Sequence, residues 1–189
     1  MGFEDYKTKQ SVVIVYTGEG KGKTTASLGL LARALGNRSK VAFIQFIKYW
    51  GVSEHVFIRD IQPLFKDQLY LYKGGKGFYK AGELSEQHVS EAQHKDAAAD
   101  TYAEALKVAG SGKYDLVICD EINNAVHDGL ISEEQLSELI DSRAPSTSLC
   151  LTGRDFPKKL LNEVDIATDM RKLKHHFDDK FLANKGIDF

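Results

Sequence analysis

The sequence is poor in several features that would narrow its class. Among its 189 residues are two cysteines, Cys119 and Cys150, and both lie in apolar runs, which favours buried thiols over a disulfide or metal site. Its six histidines show no spacing typical of metal ligands. Its 25 basic and 27 acidic residues nearly cancel, so the whole chain does not attract nucleic acid or an anionic membrane. Any site for a polyanion must therefore be local.

Long apolar runs are also missing. No stretch approaches the roughly 20 residues that a helix needs to cross a bilayer, and residues 1–7 lack the apolar centre of a signal peptide. We therefore expect a cytoplasmic protein without a membrane partner. The sequence shows no repeat, low-complexity tract or linker, and its length suits one domain with a sizeable core. We predict a single domain over residues 1–189.

The most informative stretch is a glycine- and lysine-rich loop between an apolar run at 12–15 and a segment with helical spacing. The residues that we expect to bind phosphate are Gly18, Glu19, Gly20, Lys21, Gly22, Lys23, Thr24 and Thr25. In such loops, backbone N–H groups point at phosphate oxygens. Lys23 would supply a positive charge, and the hydroxyl of Thr24 would bind Mg²⁺.

This loop is shorter by one residue than the usual phosphate-binding pattern, in which glycine and four further residues precede Gly-Lys-Ser/Thr. The position five before Gly22 is Thr17, and Gly18 is one step too close. A flexible loop without a ligand remains an alternative. A dinucleotide-binding loop is less favoured, because the glycine spacing does not match that motif.

Charged residues follow two further apolar runs. Asp120 and Glu121 come directly after residues 116–119, and Arg154 comes just after residues 149–152. Parallel strands place their carboxyl ends at one ligand-binding edge. There Glu121 would either hold Mg²⁺ or act as a general base, and the sequence leaves both roles open. Arg154 would clamp phosphate oxygens, with an unpaired surface arginine as the alternative.

Apolar runs alternate with helical patterns along the chain. Strands are predicted at residues 12–16, 41–46, 69–72, 116–119, 149–152 and 164–168. Most of these runs are continuous, which is typical of a parallel sheet covered by helices on both faces. Helices are predicted from the loop to about Gly36, from Ser85 to about Gly110, from the capping box at Ser132 to before Pro145, and over 156–161. Residues 49–82 show the least regular pattern.

A second glycine-rich stretch, residues 73–80, contains the adjacent aromatic residues Phe78 and Tyr79. Exposed aromatic side chains on a loop suit a flat apolar ligand. A flexible, solvated loop is the alternative.

Together these pieces resemble the ATP:corrinoid adenosyltransferase family of cobalamin biosynthesis and salvage. The likeness is close, including the short loop, over residues 16–29 and 41–48, and it continues over 115–123 and 151–154. The final residues, at 167–171, 174–175 and 185–189, are similar to the characteristic ending of the family. Between residues 49 and 113 the likeness is weak apart from Gly77 and Phe78.

The resemblance implies an α/β P-loop NTPase fold of RecA-like type, with a mostly parallel sheet covered by helices on both faces. It implies transfer of the adenosyl group from ATP to the cobalt(I) of a reduced corrinoid, with release of triphosphate. The resemblance implies that ATP lies in the loop in the orientation opposite to the one usual for such loops. Lys23 and Arg154 would be catalytic residues that stabilise the negative charge of the leaving triphosphate. Mg²⁺ or Mn²⁺ would bind to Thr24 and Glu121.

For the corrinoid, the resemblance implies that Phe78 lies beneath the ring and helps to remove the lower axial ligand of cobalt(II). The best-known members carry tryptophan two residues further on, where this chain has Lys80, and Tyr79 is the candidate substitute. The resemblance also implies a homodimer and an electron donor such as a reduced flavoprotein. A nucleic-acid partner is not expected.

Other activities are possible on the same fold. A RecA-like ATPase or a small-molecule kinase would use Glu121 as a base or transfer the γ-phosphoryl group. A nucleotide-binding switch without catalysis is a third alternative.

Overall fold

The computed structural model describes residues 4–48, 51–77 and 89–188. The strands are β1 Val13–Thr17, β2 Val41–Gln45, β3 Leu69–Lys73, β4 Leu116–Asp120, β5 Ser148–Thr152 and β6 Ile166–Asp169. The helices are α1 Lys23–Gly36, α2 Ser53–Phe65, α3 Glu91–Gly110, α4 Ile122–His127 and α5 Glu133–Ser142. Short 3-10 helices occupy Lys66–Gln68, Lys158–Glu163 and His176–Asp179.

The strands form one sheet in the order β3-β2-β4-β5-β1-β6, and each of these pairings is parallel. Parallel strands in one sheet all end at the same edge. The carboxyl ends of β1, β4 and β5 are therefore neighbours, and the loop that follows β1 lies beside the residues that follow the other two. This arrangement positions the site described below.

Helices cover both faces of the sheet, as the continuous apolar strands predict. On one face, α1 and α2 bury Leu31, Leu35 and Ile58 with Phe43 and Ile118 of the sheet. The opposite face is covered by α3, α4 and α5, whose buried side chains include Tyr102, Val108, Ile122, Leu136 and Leu139. Neighbouring residues of one strand enter different cores: Phe43 packs in the first and Ile44 in the second.

The predicted strands are all present, with ends shifted by no more than about two residues. One predicted helix start is wrong. Ser85 lies outside the described residues, but Ser90 is extended and caps α3, whose first residue is Glu91. The Ser90 hydroxyl accepts a hydrogen bond from the Gln93 N–H, and the Gln93 side chain accepts one from the Ser90 N–H.

Helices α2 and α4 were not predicted. α2 buries only His55 and Ile58 fully and contains Pro63, so its apolar periodicity is weak. α4 is only six residues long. The short helix expected at 156–161 is a 3-10 helix at Lys158–Glu163. No helix within the described residues is long and apolar enough to span a membrane.

Candidate nucleotide site

The loop between β1 and α1 is closed around the side chain of Lys23. Its ammonium group donates to the carbonyl oxygens of Gly18 at 2.6 Å and of Gly20 at 2.8 Å. Gly22, with φ +113°, turns the chain into α1, a conformation that glycine adopts readily. Burial lowers the pKa of Lys23, and the positive charge of Arg154 lowers it further. An anion at this loop would relieve both effects.

The first turn of α1 faces the end of β4. Thr24 donates its hydroxyl to Asp120 Oδ2 at 3.2 Å, whereas Thr25 is exposed. N–H groups in the first turn of a helix have no partner within the helix. This turn therefore offers both backbone donors and a hydroxyl oxygen to a polyphosphate.

Asp120 ties together the ends of three elements. It is fully buried, and besides the Thr24 hydroxyl it accepts a hydrogen bond from Thr152 Oγ1 at 2.6 Å. The same Thr152 oxygen accepts a hydrogen bond from the Glu121 N–H at 2.9 Å. This network fixes the position of Glu121 relative to the phosphate loop.

Glu121 is held in an unusual conformation at the start of α4. Its φ of 63° and ψ of 19° lie in the left-handed region, which non-glycine residues enter rarely and often at functional sites. Its buried Oε2 atom makes no hydrogen bond within the described residues. Burial raises the pKa of Glu121 to about 7, against the charge of Lys48 and with help from Asp120 and Glu54.

Lys48 lies among these carboxylates and was given no role by the sequence. Its ammonium group is 2.7 Å from Glu54 Oε1, 3.6 Å from Glu121 Oε1 and 3.7 Å from Asp120 Oδ2. It also donates to the Thr24 hydroxyl at 3.4 Å. Burial alone would lower the pKa of Lys48, but these carboxylates outweigh it and raise the pKa above its usual value.

A signal for Lys48 was present in the sequence. It follows the end of a predicted strand, as Asp120 and Glu121 do, so the same rule about strand ends places it at this edge. Glu54 gave no such signal, because it lies on α2, whose helical pattern is weak.

Arg154 also lies at this edge, in the turn that follows β5. Its guanidinium is 3.6 Å from Glu19 Oε2, and its side chain is 57% exposed. Its backbone N–H donates to Asn124 Oδ1 at 2.7 Å. The structure thus brings Arg154 to the phosphate loop, with a side chain that is largely exposed. Phe78, Tyr79 and Lys80 lie outside the described residues.

The described part of the second glycine-rich stretch packs against the sheet. The N–H groups of Gly74 and Gly77 donate to the carbonyls of Gln45 and Ile47, each at 3.0 Å. A Cβ atom added at Gly74 would lie 1.7 Å from Thr101 Oγ1. This contact explains the glycine at position 74. The hydrogen bond to the Ile47 carbonyl places Gly77 just beyond the carboxyl end of β2.

The oxygen atoms at this edge suit a magnesium ion carried by phosphates. No group of three or more histidine, cysteine, aspartate or glutamate side chains within the described residues is placed to hold a metal ion. Mg²⁺ commonly binds through one or two protein ligands together with substrate phosphates and water. The hydroxyl of Thr24 and the unpartnered oxygen of Glu121 fit that requirement.

Comparison with known proteins adds to this geometry. A family profile described as "ATP:corrinoid adenosyltransferase BtuR/CobO/CobP" matches residues 9–189. The chain belongs to this family. The resemblance drawn from the sequence is therefore confirmed, and membership makes the protein a transferase.

Curated relatives named corrinoid adenosyltransferase align with most of this chain, and the alignments cover most of their own length. A corrinoid adenosyltransferase of Pseudomonas aeruginosa is 29% identical over 184 residues, covering 97% of this chain and 86% of the relative. The corrinoid adenosyltransferase CobA of Salmonella typhimurium is 30% identical over 189 residues, covering 96% and 87% respectively.

A solved structure supports the fold alone. The flagellar accessory protein FlaH from Methanocaldococcus jannaschii aligns with a TM-score of 0.55 at 14% identity, covering 85% of this chain and 71% of FlaH. The predicted RecA-like α/β fold, with a parallel sheet between helical layers, is confirmed.

Proposed function

We propose that this protein transfers the 5′-deoxyadenosyl group of ATP to the cobalt(I) of a reduced corrinoid and releases triphosphate. The observation that carries the proposal is the short phosphate loop, with Gly18 one position closer to Gly22 than usual, in a chain of this family. The ATP would lie with its ribose, instead of its terminal phosphate, towards the attacking atom.

The reaction needs positioning and charge more than proton transfer. Cobalt(I) donates an electron pair to C5′ of the ribose, the bond between C5′ and oxygen breaks, and the triphosphate leaves with that bonding pair. No proton is removed in this step, so no general base is required. The protein must hold C5′ in line with cobalt and stabilise the negative charge on the leaving group.

Lys23, Arg154 and the N–H groups of the loop supply that stabilisation. The lowered pKa of Lys23, caused by burial and by Arg154, supports this role, because the nearby carboxylates of Glu19, Glu121 and Asp120 do not offset these two effects. The exposed side chain of Arg154 lies beside the loop and would reach phosphate oxygens there, because a planar guanidinium can bind two of them at once.

Mg²⁺, or Mn²⁺ in its place, would be held by Thr24 and Glu121 and would neutralise phosphate charge. Lys48 keeps Glu121, Asp120 and Glu54 together. Its positive charge prevents the carboxylates from repelling each other and the incoming triphosphate.

The corrinoid would bind beside the carboxyl end of β2, where Gly77 lies. Phe78 is the next residue and would displace the lower axial ligand of cobalt(II), with Tyr79 as the substitute for the second aromatic residue of the family. Reduction of cobalt(II) needs a one-electron donor, for which a reduced flavoprotein is suitable. We further propose that residues 1–189 act as a single cytoplasmic domain in a homodimer.

The products of the reaction test this proposal. The protein is incubated without oxygen with ATP, Mg²⁺ and chemically reduced cobalamin, and the phosphate species and the corrinoid spectrum are followed together. We expect one intact triphosphate for each light-sensitive cobalt–carbon bond formed. Formation of ADP and orthophosphate, with or without corrinoid, would instead indicate a hydrolase or kinase. Binding of ATP without turnover would indicate a switch.

A further inference from the structure

The C-terminal segment, residues 169–188, runs along the outside of the phosphate loop. β6 pairs with β1 as far as Thr17 and Asp169, and the pairing continues beyond the strands. The Met170 N–H donates to the Thr17 carbonyl at 2.8 Å, and the Gly20 N–H donates to the Met170 carbonyl at 2.5 Å. One backbone donor of the loop is therefore bound to the C-terminal segment.

The contact is too close for side chains on the loop. A Cβ atom added at Gly18 would lie 2.0 Å from Asp169 Oδ1, and one added at Gly20 would lie 2.4 Å from the Met170 carbonyl oxygen. Real Cβ atoms do not approach other atoms so closely. These two glycines are thus required by the C-terminal segment as well as by any phosphate group.

The far end of the same segment returns to the loop through an ion pair. Lys21 Nζ lies 2.8 Å from Asp188 Oδ1, and the carboxylate is only 8% exposed. The Asn184 N–H donates to Asp188 Oδ2 at 2.7 Å. This hydrogen bond and the charge of Lys21 lower the pKa of Asp188 to about 2. The Asp188 carboxylate therefore remains charged at physiological pH.

We propose that the C-terminal segment is the outer wall of the nucleotide site, and that the Lys21–Asp188 ion pair holds the short phosphate loop in its binding shape. This proposal rests on one part of the function proposed above, namely that the loop binds a polyphosphate. It does not depend on the transfer of the adenosyl group. It makes Met170 and Asp188 positioning residues, because neither needs to touch the nucleotide.

The wall accounts for features that the loop alone does not explain. A loop that lacks one residue has fewer N–H groups to arrange around phosphates, and the Gly20 N–H is already used. The segment compensates by fixing the remaining donors in advance, which lowers the cost of ordering them when the nucleotide binds. It also gives a structural reason for the ending that this chain shares with its family.

The test measures ATP binding in the presence of Mg²⁺ and without corrinoid, by calorimetry on the full chain. The variants are Asp188→Asn, Lys21→Met and the two combined. Asp178→Asn is the matched control, since Asp178 pairs with Lys172 at 2.9 Å in the same segment and does not contact the loop. Amide hydrogen exchange of Gly20 reports separately on the shape of the loop.

We expect Asp188→Asn to raise the Kd for ATP about two- to fivefold, the range for a partly exposed ion pair, and to speed exchange of the Gly20 amide. Lys21→Met should weaken binding at least as much. The double variant should bind no worse than Lys21→Met, because the two residues act as one unit. Asp178→Asn should bind ATP and exchange the Gly20 amide as the wild type does.

Binding by Asp188→Asn equal to that of Asp178→Asn, with Gly20 exchange unchanged, would overturn the inference and leave the proposed function intact. So would additive losses in the double variant, because Lys21 would then act on phosphate without Asp188. A wild-type chain that binds no ATP would overturn the proposed function and this inference together.

Discussion

Lys23 and Lys48 are partly buried lysines of the same site, yet their surroundings shift their pKa values in opposite directions. Lys48 faces three carboxylates, which raise its pKa against the effect of burial. Burial lowers the pKa of Lys23, whose ammonium group contacts backbone carbonyls, and the charge of Arg154 lowers it further. Lys48 thus has close counter-charges within the protein, whereas a polyphosphate bound as proposed above would supply a further one to Lys23.

Replacement of Lys23 by alanine should therefore abolish most of the activity without loss of the fold. Loss of one fixed donor to a developing negative charge typically lowers the rate about 10²- to 10³-fold. Adenosyl transfer is measured under the anaerobic conditions given above, with thermal unfolding in parallel. Lys158→Ala, at an exposed position, is the control and should keep wild-type activity. Retention of activity by Lys23→Ala would contradict the phosphate-loop assignment.

The raised pKa of Glu121 predicts how the free energy of unfolding changes with pH. Its pKa is about 7 in the folded protein and near 4.5 when unperturbed, so the folded state binds this proton more tightly than the unfolded state does. Its contribution to stability is complete below about 4.5 and is lost as the pH rises through about 7. The charges that face it belong to Lys48, Asp120 and Glu54.

The Glu121→Gln variant isolates this effect, because glutamine stays uncharged at every pH. Relative to the wild type, the variant should gain free energy of unfolding as the pH rises from about 4.5 to about 7, and the difference should then level off. Urea unfolding of both proteins in metal-free buffers measures this difference in the free energy of unfolding at each pH. A difference that is independent of pH would show that Glu121 titrates normally.

At the scale of elements, the sequence predicted what local patterns determine. Continuous apolar runs revealed the strands, and the rule about strand ends brought Thr24, Glu121 and Arg154 to one edge. α2 was missed because only two of its side chains are fully buried. The contact between Gly20 and Met170 could not be predicted, since it joins backbone groups 150 positions apart in a register that only the folded sheet fixes.

Lys48 links several elements of the fold, so its replacement should lower the free energy of unfolding. It joins α2, through Glu54, to the end of β4 and the start of α1. Lys48→Met keeps the apolar part of the side chain but leaves the carboxylates without their partner. Removal of one member of a buried ion pair costs about 3 kcal/mol or more, and Lys48→Arg should lose less.

Urea unfolding at neutral pH gives the free energies for this prediction. Lys107→Met is the control, because Lys107 pairs with Glu104 at 2.9 Å but is 74% exposed, and its loss should cost less than about 1 kcal/mol. Adding Glu54→Gln to Lys48→Met should recover part of the loss by removing one repelling charge. Equal losses for Lys48→Met and Lys107→Met would show that the carboxylates do not depend on Lys48.

At the scale of the whole molecule, the C-terminal segment combines two properties. Part of the segment contacts the phosphate loop, and the segment also carries large apolar side chains that are exposed. These are Leu173, Phe177, Phe181, Leu182 and Ile187, each at least 65% exposed. Several large exposed apolar side chains close together in the sequence are typical of an interaction site. For the homodimer proposed above, these side chains are the natural candidates for the contact between the two copies.

Sedimentation equilibrium tests the homodimer. The wild-type chain should sediment at twice its mass of 21.1 kDa, and replacing both Phe181 and Leu182 by serine should shift the equilibrium at least tenfold towards the monomer, because these apolar side chains would be uncovered again. Leu64→Ser is the control, since Leu64 is 79% exposed on α2 and should leave the equilibrium unchanged. A wild-type chain that sediments as a monomer at all concentrations would contradict the homodimer, and an equal effect of the control would assign the contact to another surface.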